Sequence, residues 1–238
     1  MLLSLLRGSF DPLEMIISLF VLAFVVFCTM PVHEFAHAFV ATKLGDKTPK
    51  HTGRLTLNPM AHISPLGAIM ILVCGFGYAK PVSVNARNFK NPKVGMALTA
   101  IAGPISNLLM AFVFIFLSNI VLVLASNTTI DITVLSAIYT FLYLAARINV
   151  NLAVFNLLPI PPLDGSRIFQ IFIPNKYYYK MLEYEKYIVI VVFILLYLDI
   201  LTIPINFLSN LCMEFFEFIT SLPFSFIWGC LWKKYRIN

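Results

Sequence analysis

The sequence predicts an all-α polytopic membrane protein of about five to six transmembrane helices, with a re-entrant or short-strand segment between the first two spans. Two observations support this fold class. Apolar residues make up 60% of the 238-residue chain and charged residues only 12%, which is too little charge for the surface of a soluble protein. Several apolar runs also approach or exceed the roughly 20 residues that cross a hydrocarbon core of about 30 Å. We expect a single integral membrane domain over residues 1–238.

The apolar runs predict five crossings, at residues 13–43, 94–125, 132–158, 187–203 and 211–232. Pro204 and the polar stretch SNLCME separate the last two, and they either turn the chain or kink one helix. Between the first two spans, residues 64–78 are apolar but too short to cross, so we expect a re-entrant or interfacial segment. Just before it, TGRLTL at residues 52–57 alternates in polarity, which indicates a short strand.

Lysine and arginine set the expected orientation, because short cytoplasmic loops are enriched in both. Eight lie between the first two spans, four between the third and fourth, and three in the C-terminal tail, so that 15 of 17 fall on one side. The N-terminus is therefore expected outside and the C-terminus in the cytoplasm. Orientation in the bilayer explains the net charge of +6, and no nucleic-acid partner is expected.

The first span contains HEFAH at residues 33–37. On a helix, His33 and His37 lie one turn apart on the same face and can bind one metal ion, with Glu34 placed to act as a general base. Ionisable groups inside a membrane span are costly and are usually functional. A structural role for one buried histidine remains the alternative, but it explains the whole triplet poorly.

A third metal ligand must reach the depth of these histidines, which lie toward the cytoplasmic end of the first span. Depth argues against the acids near the outer ends of the last two spans, namely Asp199, Glu214 and Glu217. His62 reaches that depth only if the re-entrant segment folds inward. Asp164 fits, because Pro159, Pro161 and Pro162 stop the third span near the inner face. The alternative is that this stretch is only a loop at the membrane edge.

These motifs together resemble the site-2 protease family of intramembrane zinc metalloproteases. HEFAH and NLLPIPPLDG (residues 156–165) match the family's HExxH and NxxPxPxLDG signatures, and AGPISN (102–107) is similar to its GPxxN element. The segments 53–67 and 77–89 resemble a compact bacterial branch without accessory domains, although Ser64 stands where that branch has Asp. The resemblance covers residues 15–172, with additional spans at 187–232.

The resemblance implies a zinc-dependent endopeptidase with one Zn²⁺ per chain, in a bacterial inner membrane. It implies His33, His37 and Asp164 as zinc ligands, Glu34 as the catalytic base and Asn156 as a polar catalytic residue beside the metal. The expected substrate is a transmembrane protein cleaved in or near its membrane segment. Two alternatives remain at this point: a membrane metal transporter, and a scaffold that keeps the fold without the chemistry.

Overall fold

Helices account for most of the described chain, which comprises residues 12–64, 80–125 and 130–224 of the computed structural model. The α-helices are α1 (Pro12–Phe24), α2 (Met30–Lys43), α3 (Thr48–His51), α4 (Pro59–His62), α5 (Pro92–Ala125), α6 (Ile132–Asn156), α7 (Asp164–Phe169), α8 (Asn175–Glu183), α9 (Glu185–Tyr197) and α10 (Thr202–Ser221). A π-helical turn, Val25–Thr29, joins α1 to α2, and 3-10 turns occupy Ala86–Asn88 and Leu222–Phe224. The all-helical fold class is confirmed.

Three stretches of the described chain are long and apolar enough to cross a membrane: Ile16–Lys43, Pro92–Ala125 and Ile132–Asn156. They match the first three predicted spans to within a few residues at each end. Small side chains line their contacts, and Ala111, Ala146 and Val150 are buried in the main core with Ile115 and Met213. Small residues let membrane helices approach closely, so van der Waals packing stabilises the bundle.

The π-helical turn in the first span follows from Pro31, the second residue of α2. Proline has no backbone N–H and its ring clashes with the carbonyl four residues earlier, so the regular α-helical ladder cannot pass this point. The Met30 N–H donates instead to the Val25 carbonyl five residues back, and the buried Thr29 hydroxyl donates to the same oxygen at 3.0 Å. The turn therefore lies directly before the histidine motif.

The last two predicted spans differ from the structure. The chain breaks between Tyr197 and Thr202, and α9 and α10 are bent by 75° at this break. Pro204 lies in the first turn of α10, where its missing N–H is tolerated, and the polar residues 209–214 continue the same helix. The chain therefore does not turn at SNLCME, and of the two alternatives the structure has a bend, which lies just before Pro204. The described chain has three candidate spans, or four if the bent pair is one span, and residues 225–232 of the predicted fifth span lie outside it.

The far end of α10 lies beside the far end of α5. The Asn119 amide donates to the Thr220 hydroxyl at 2.9 Å, whereas at the start of α5 the Lys93 ammonium donates to the Ile173 carbonyl at 3.0 Å. Lys93 and Asn119 are about 39 Å apart along the helix axis at 1.5 Å per residue. The end of α10 and the connection after α7 thus lie at opposite ends of the bundle.

A polar cap closes the lysine-rich end of the bundle. The Asp46 carboxylate is buried and accepts hydrogen bonds from the Thr48 N–H and hydroxyl, the Asn85 N–H and the Asn88 amide, at 2.6–3.0 Å. Burial raises the pKa of Asp46, but hydrogen bonds from Thr48, Asn85 and Asn88 outweigh it and hold the pKa below its ordinary value. Asp46 therefore ties the chain after α2 to the chain before α5.

The predicted strand at residues 52–57 is wrong, because these residues form turns and bends. The buried Arg54 side chain donates to the carbonyls of Ala61 and Lys80 and holds this part of the cap without a ladder of strand hydrogen bonds. Apart from Ser64, the predicted re-entrant segment lies at residues 65–79, outside the described residues. Beside it, Ile63 packs against the cluster of Leu22 and Val26 in the first span, as Met30 does.

Candidate metal centre

Two histidines of α2 face one another across a single helical turn. His33 and His37 are both buried, and their Nε2 atoms are 3.1 Å apart. The i, i+4 spacing of the motif produces this arrangement, because residues four apart lie on the same helix face. Glu34 is also buried and lies on the adjacent side of the helix, three residues before His37.

Asp164 arrives from the distant end of α6. That helix ends at Asn156, and the three prolines at 159, 161 and 162 prevent it from continuing. The chain then turns so that Asp164 Oδ2 lies 3.4 Å from His33 Nε2 and 3.2 Å from His37 Nε2. Gly165 permits this turn, since a Cβ there would overlap the carbonyls of Leu157 and Leu158.

The three donor atoms have the spacing that a tetrahedral zinc ion requires. Ligand atoms about 2.0–2.1 Å from such an ion lie about 3.3–3.4 Å from one another, and the observed separations are 3.1, 3.2 and 3.4 Å. Two imidazole nitrogens and one carboxylate oxygen also form a ligand set typical of catalytic zinc, with a fourth position for water or substrate. The residues present therefore fit a zinc ion.

Helix α5 forms the wall behind the histidines. His37 Nδ1 is 2.8 Å from the Thr99 carbonyl oxygen; a carbonyl only accepts, so Nδ1 carries a proton and Nε2 is the nitrogen left to bind a metal. Gly103 lies against both rings, and a Cβ there would overlap His37 Nε2 and the Cε1 atoms of both histidines. Thr99 and Gly103 thus fix the orientation and the space of the imidazoles.

The other predicted site residues lie in different surroundings. The Asn156 amide donates to the Leu152 carbonyl of its own helix at 2.9 Å, and its catalytic role stays a prediction. His62 is buried in the cap, with Nε2 2.8 Å from the Thr56 carbonyl oxygen. Glu214 and Glu217 line a cavity of about 550 Å³ between α5, α6 and α10, together with Ser118 and Tyr143. Among the described residues, the group able to hold a metal is His33, His37 and Asp164.

Sequence reasoning missed Thr99 and Gly103 as parts of this centre. Gly103 belongs to the AGPISN stretch, where the pattern alone gave no physical reason for a glycine. Gly103 follows Thr99 by four residues, so the two lie on the same face of α5. Two residues without bulky side chains on one helix face indicate that another helix approaches closely there. No sequence feature shows which backbone carbonyl a histidine will use.

The fold and the centre define a class, that of membrane proteins with a buried His-His-Asp group that could hold a metal ion. Comparisons with known proteins agree with this class. Residues 19–198 match Peptidase family M50. The chain belongs to this family, that of the site-2 proteases, and it is a metalloendopeptidase.

Named relatives carry the same description. The chain is 45% identical over 175 residues to "Putative zinc metalloprotease YwhC" of Bacillus subtilis, which covers 74% of this chain and 78% of the relative. It is 30% identical over 138 residues to "Putative zinc metalloprotease Rip2" of Mycobacterium tuberculosis, covering 56% and 50%. It is 28% identical over 159 residues to "Zinc metalloprotease MJ0392" of Methanocaldococcus jannaschii, covering 67% and 36%. No solved structure matches the chain significantly.

Proposed function

We propose that this zinc metalloprotease is an intramembrane endopeptidase, which hydrolyses peptide bonds in or near the transmembrane segments of membrane proteins. One observation carries the proposal: His33, His37 and Asp164 converge with zinc-like spacing on a buried face of a helix that is apolar enough to cross the membrane. The scissile peptide bond of the substrate must then reach this buried group of side chains inside the membrane. One zinc ion per chain follows from the single group of ligands in the described part of the chain.

In this proposal, His33, His37 and Asp164 hold the metal. A bound zinc ion supplies Lewis-acid chemistry, which polarises the scissile carbonyl and acidifies water at the site. Glu34 accepts the proton of the attacking water and delivers it to the leaving amine.

Asn156 is proposed to donate a hydrogen bond to the oxyanion that develops during attack. In the structure its amide donates to the Leu152 carbonyl, so this role requires the side chain to exchange that bond for the substrate. A single oxyanion donor is worth about 10²–10³ in kcat in other enzymes. Replacing Asn156 by Ala should therefore lower kcat more than it raises KM.

We further propose that the protein resides in a bacterial inner membrane with its metal end toward the cytoplasm. The lysine-rich cap lies at that end, as the enrichment of cytoplasmic loops in positive charge requires. In this orientation the end of α10 lies outside, because Thr220 contacts the far end of α5, which fits α9 and α10 as one bent span. Two separate spans would place the end of α10 on the cytoplasmic side, and the cytoplasmic C-terminus stays a prediction. Reporter fusions after Ser221 and at the C-terminus distinguish these two topologies.

The transporter alternative requires metal-binding groups through the thickness of the membrane. Among the described residues, the single group of this kind lies at the lysine-rich end, so no observation favours transport. The scaffold alternative requires the loss of a ligand or of the base, whereas Glu34, both histidines and Asp164 are all present. Neither is proposed further.

The test is cleavage of a single-span membrane protein by the purified, zinc-loaded enzyme in lipid vesicles. Wild-type protein should produce a cut in or near the membrane segment. The Glu34→Gln variant should retain its zinc and lose on the order of 10³-fold in rate, as expected for removal of a general base. Cleavage at the wild-type rate by Glu34→Gln contradicts the proposed mechanism, and cleavage only in soluble loops contradicts the proposed substrate class.

A further inference from the structure

The two imidazoles of the metal centre differ in the hydrogen bond of Nδ1, the ring nitrogen that faces away from the proposed metal. His37 Nδ1 donates to the Thr99 carbonyl, whereas His33 Nδ1 is buried and has no hydrogen-bond partner among the described residues. A buried donor without an acceptor costs about 1–3 kcal/mol. Histidines that bind metals almost always donate this nitrogen to an oxygen, which fixes the tautomer and the ring plane. His33 therefore lacks the acceptor that its proposed role requires.

A buried acceptor that lacks a hydrogen-bond donor lies on the neighbouring helix, α5. The Asn107 side chain is only 2% exposed, and its Oδ1 atom is buried without a hydrogen-bond partner in the described chain. An unpaired amide oxygen in an apolar interior is as costly as an unpaired donor. The cost at both sites is removed if one shared water molecule joins them.

The register of the two helices places Asn107 toward the His33 end of the face of α5 that the histidines contact. Thr99, Gly103 and Asn107 are spaced by four residues, so they share one face of α5. On this face Thr99 contacts His37, and Gly103 lies against both imidazoles. The two helices therefore run in opposite directions at this contact. The His33 end of the motif lies on the side of α5 that leads from Thr99 toward Asn107. Asn107 lies one turn beyond Gly103, about 6 Å along the axis, on the side of His33.

We propose that Asn107 is a positioning residue of the metal centre, and that its amide oxygen accepts the Nδ1–H of His33 through one buried water. The Thr99 carbonyl accepts directly from His37 Nδ1. Together the two acceptors hold both imidazoles in the tautomer whose Nε2 atoms are free to bind zinc. This inference rests on the proposed zinc site, and it concerns a residue that touches neither zinc nor substrate.

Four other buried oxygens in the described chain lack a partner, namely Thr99 Oγ1, Asn149 Oδ1, Asn151 Oδ1 and Ser209 Oγ. Asn149 and Asn151 belong to α6 and Ser209 to α10, not to the face of α5 that carries Gly103. Thr99 Oγ1 is buried without a partner, but it lies at the His37 end of the shared face. Asn149 is fully buried on α6, where its amide nitrogen donates to the Ala145 carbonyl and its Oδ1 is unpaired. Asn149 is therefore a matched control, since it has the same side chain, similar burial and a similar unpaired oxygen on a different helix.

The experiment measures zinc affinity of the full-length protein in detergent by competition with a chelator. Asn107→Leu removes the acceptor at similar volume and should weaken zinc binding by about 10–100-fold, the range for removal of such a partner. Asn107→Asp keeps an acceptor oxygen in the same place and should remain within about threefold of wild type. Asn149→Leu should leave the zinc affinity unchanged. The visible spectrum of the cobalt-substituted protein should shift only in Asn107→Leu.

The outcomes separate this inference from the proposed function. If the wild type binds zinc and cleaves substrate while Asn107→Leu keeps wild-type affinity, the role of Asn107 is overturned and the protease remains. Equal weakening by Asn149→Leu also overturns it, because the effect is then general loosening of the bundle. A wild-type protein without affinity for zinc overturns both. Should Asn107→Leu not fold, Asn107→Ala removes the same acceptor without added branching and carries the same test.

Discussion

The two ends of the helix bundle each place acidic side chains among apolar helices, but the polar groups are arranged differently. At the lysine-rich end, Asp164 Oδ2 lies 3.4 Å from His33 Nε2 and 3.2 Å from His37 Nε2. Thr99 and Gly103 of α5 lie against the imidazoles. At the other end, Glu214 and Glu217 line an open cavity. The comparison teaches that acidic residues in membrane helices can hold a metal where histidines lie within ligand distance of them, and among the described residues this holds at Asp164.

The largest expected effect comes from removing one acid at each end. Asp164→Ala should abolish zinc binding and lower cleavage on the order of 10³-fold or more, because two histidines alone do not complete a catalytic zinc site. Glu217→Ala, the matched change at the other end, should keep cleavage and zinc content within about twofold of wild type, since surface-lining groups away from the chemistry contribute little. Metal analysis and vesicle cleavage measure both.

Equal losses in the two variants would contradict the contrast between the ends. They would show instead that the cavity acids take part in the reaction or in folding of the whole bundle. A measurement of thermal unfolding for both variants distinguishes these two explanations, because a folding defect lowers the midpoint and a catalytic defect does not.

A smaller effect is expected from filling the space beside the histidines. Gly103→Ala places a Cβ where the two imidazoles lie, so it should lower stability by about 1–3 kcal/mol, as overpacking does, and weaken zinc binding by at least about tenfold through displaced ligands. Ile105→Ala is the control on the same helix, because Ile105 is 45% exposed on the outer surface of the bundle. Chelator competition and unfolding in detergent provide the readouts. A normal zinc affinity in Gly103→Ala would mean that the imidazoles do not depend on this close approach.

The smallest effect concerns the polar cap and depends on pH. Asp46 has a lowered pKa in the folded protein, so its contribution to stability is present above its unfolded pKa of about 3.9 and is lost as the pH falls through the folded pKa. Asp46→Asn should thus destabilise the protein at pH 7 by about 1–3 kcal/mol, since charged hydrogen bonds are lost in a buried place, and the difference from wild type should shrink at low pH.

Asp131 is the control for this change, because it also has a lowered pKa but is exposed and caps α6 through the Thr133 N–H. Asparagine caps helices as well as aspartate does, so Asp131→Asn should leave the unfolding midpoint nearly unchanged. A pH-independent loss of stability in Asp46→Asn would show that the carboxylate charge is not what holds the cap.

Much of the candidate site could be predicted from the sequence, and the reason is local. The HExxH spacing fixes the relation of His33, Glu34 and His37 through helix geometry alone. Asp164 could be selected by membrane depth, with support from the family resemblance, because prolines end α6 near that depth. The support from α5 could not be predicted: which carbonyl accepts from His37 depends on the register of two helices, and apolar sequences leave that register open.

The fold shows the same division between local and non-local information. The first three spans follow from length and hydropathy, since the bilayer sets how many apolar residues a crossing needs. The break between α9 and α10 does not, because Pro204 is compatible with the first turn of a helix as well as with its end. The alternating polarity of residues 52–57 predicted a strand that does not form. The buried Arg54 side chain donates hydrogen bonds to the Ala61 and Lys80 carbonyls, and no strand pairs with this segment in the described chain.

The central claim, that His33, His37 and Asp164 bind one zinc ion, is tested most directly by zinc K-edge X-ray absorption on the purified protein. The account predicts one zinc per chain with two imidazoles and oxygen ligands at about 2.0–2.2 Å and no sulfur, and loss of this signal in Asp164→Ala. A sulfur ligand at about 2.3 Å, or an unchanged spectrum in Asp164→Ala, would contradict it.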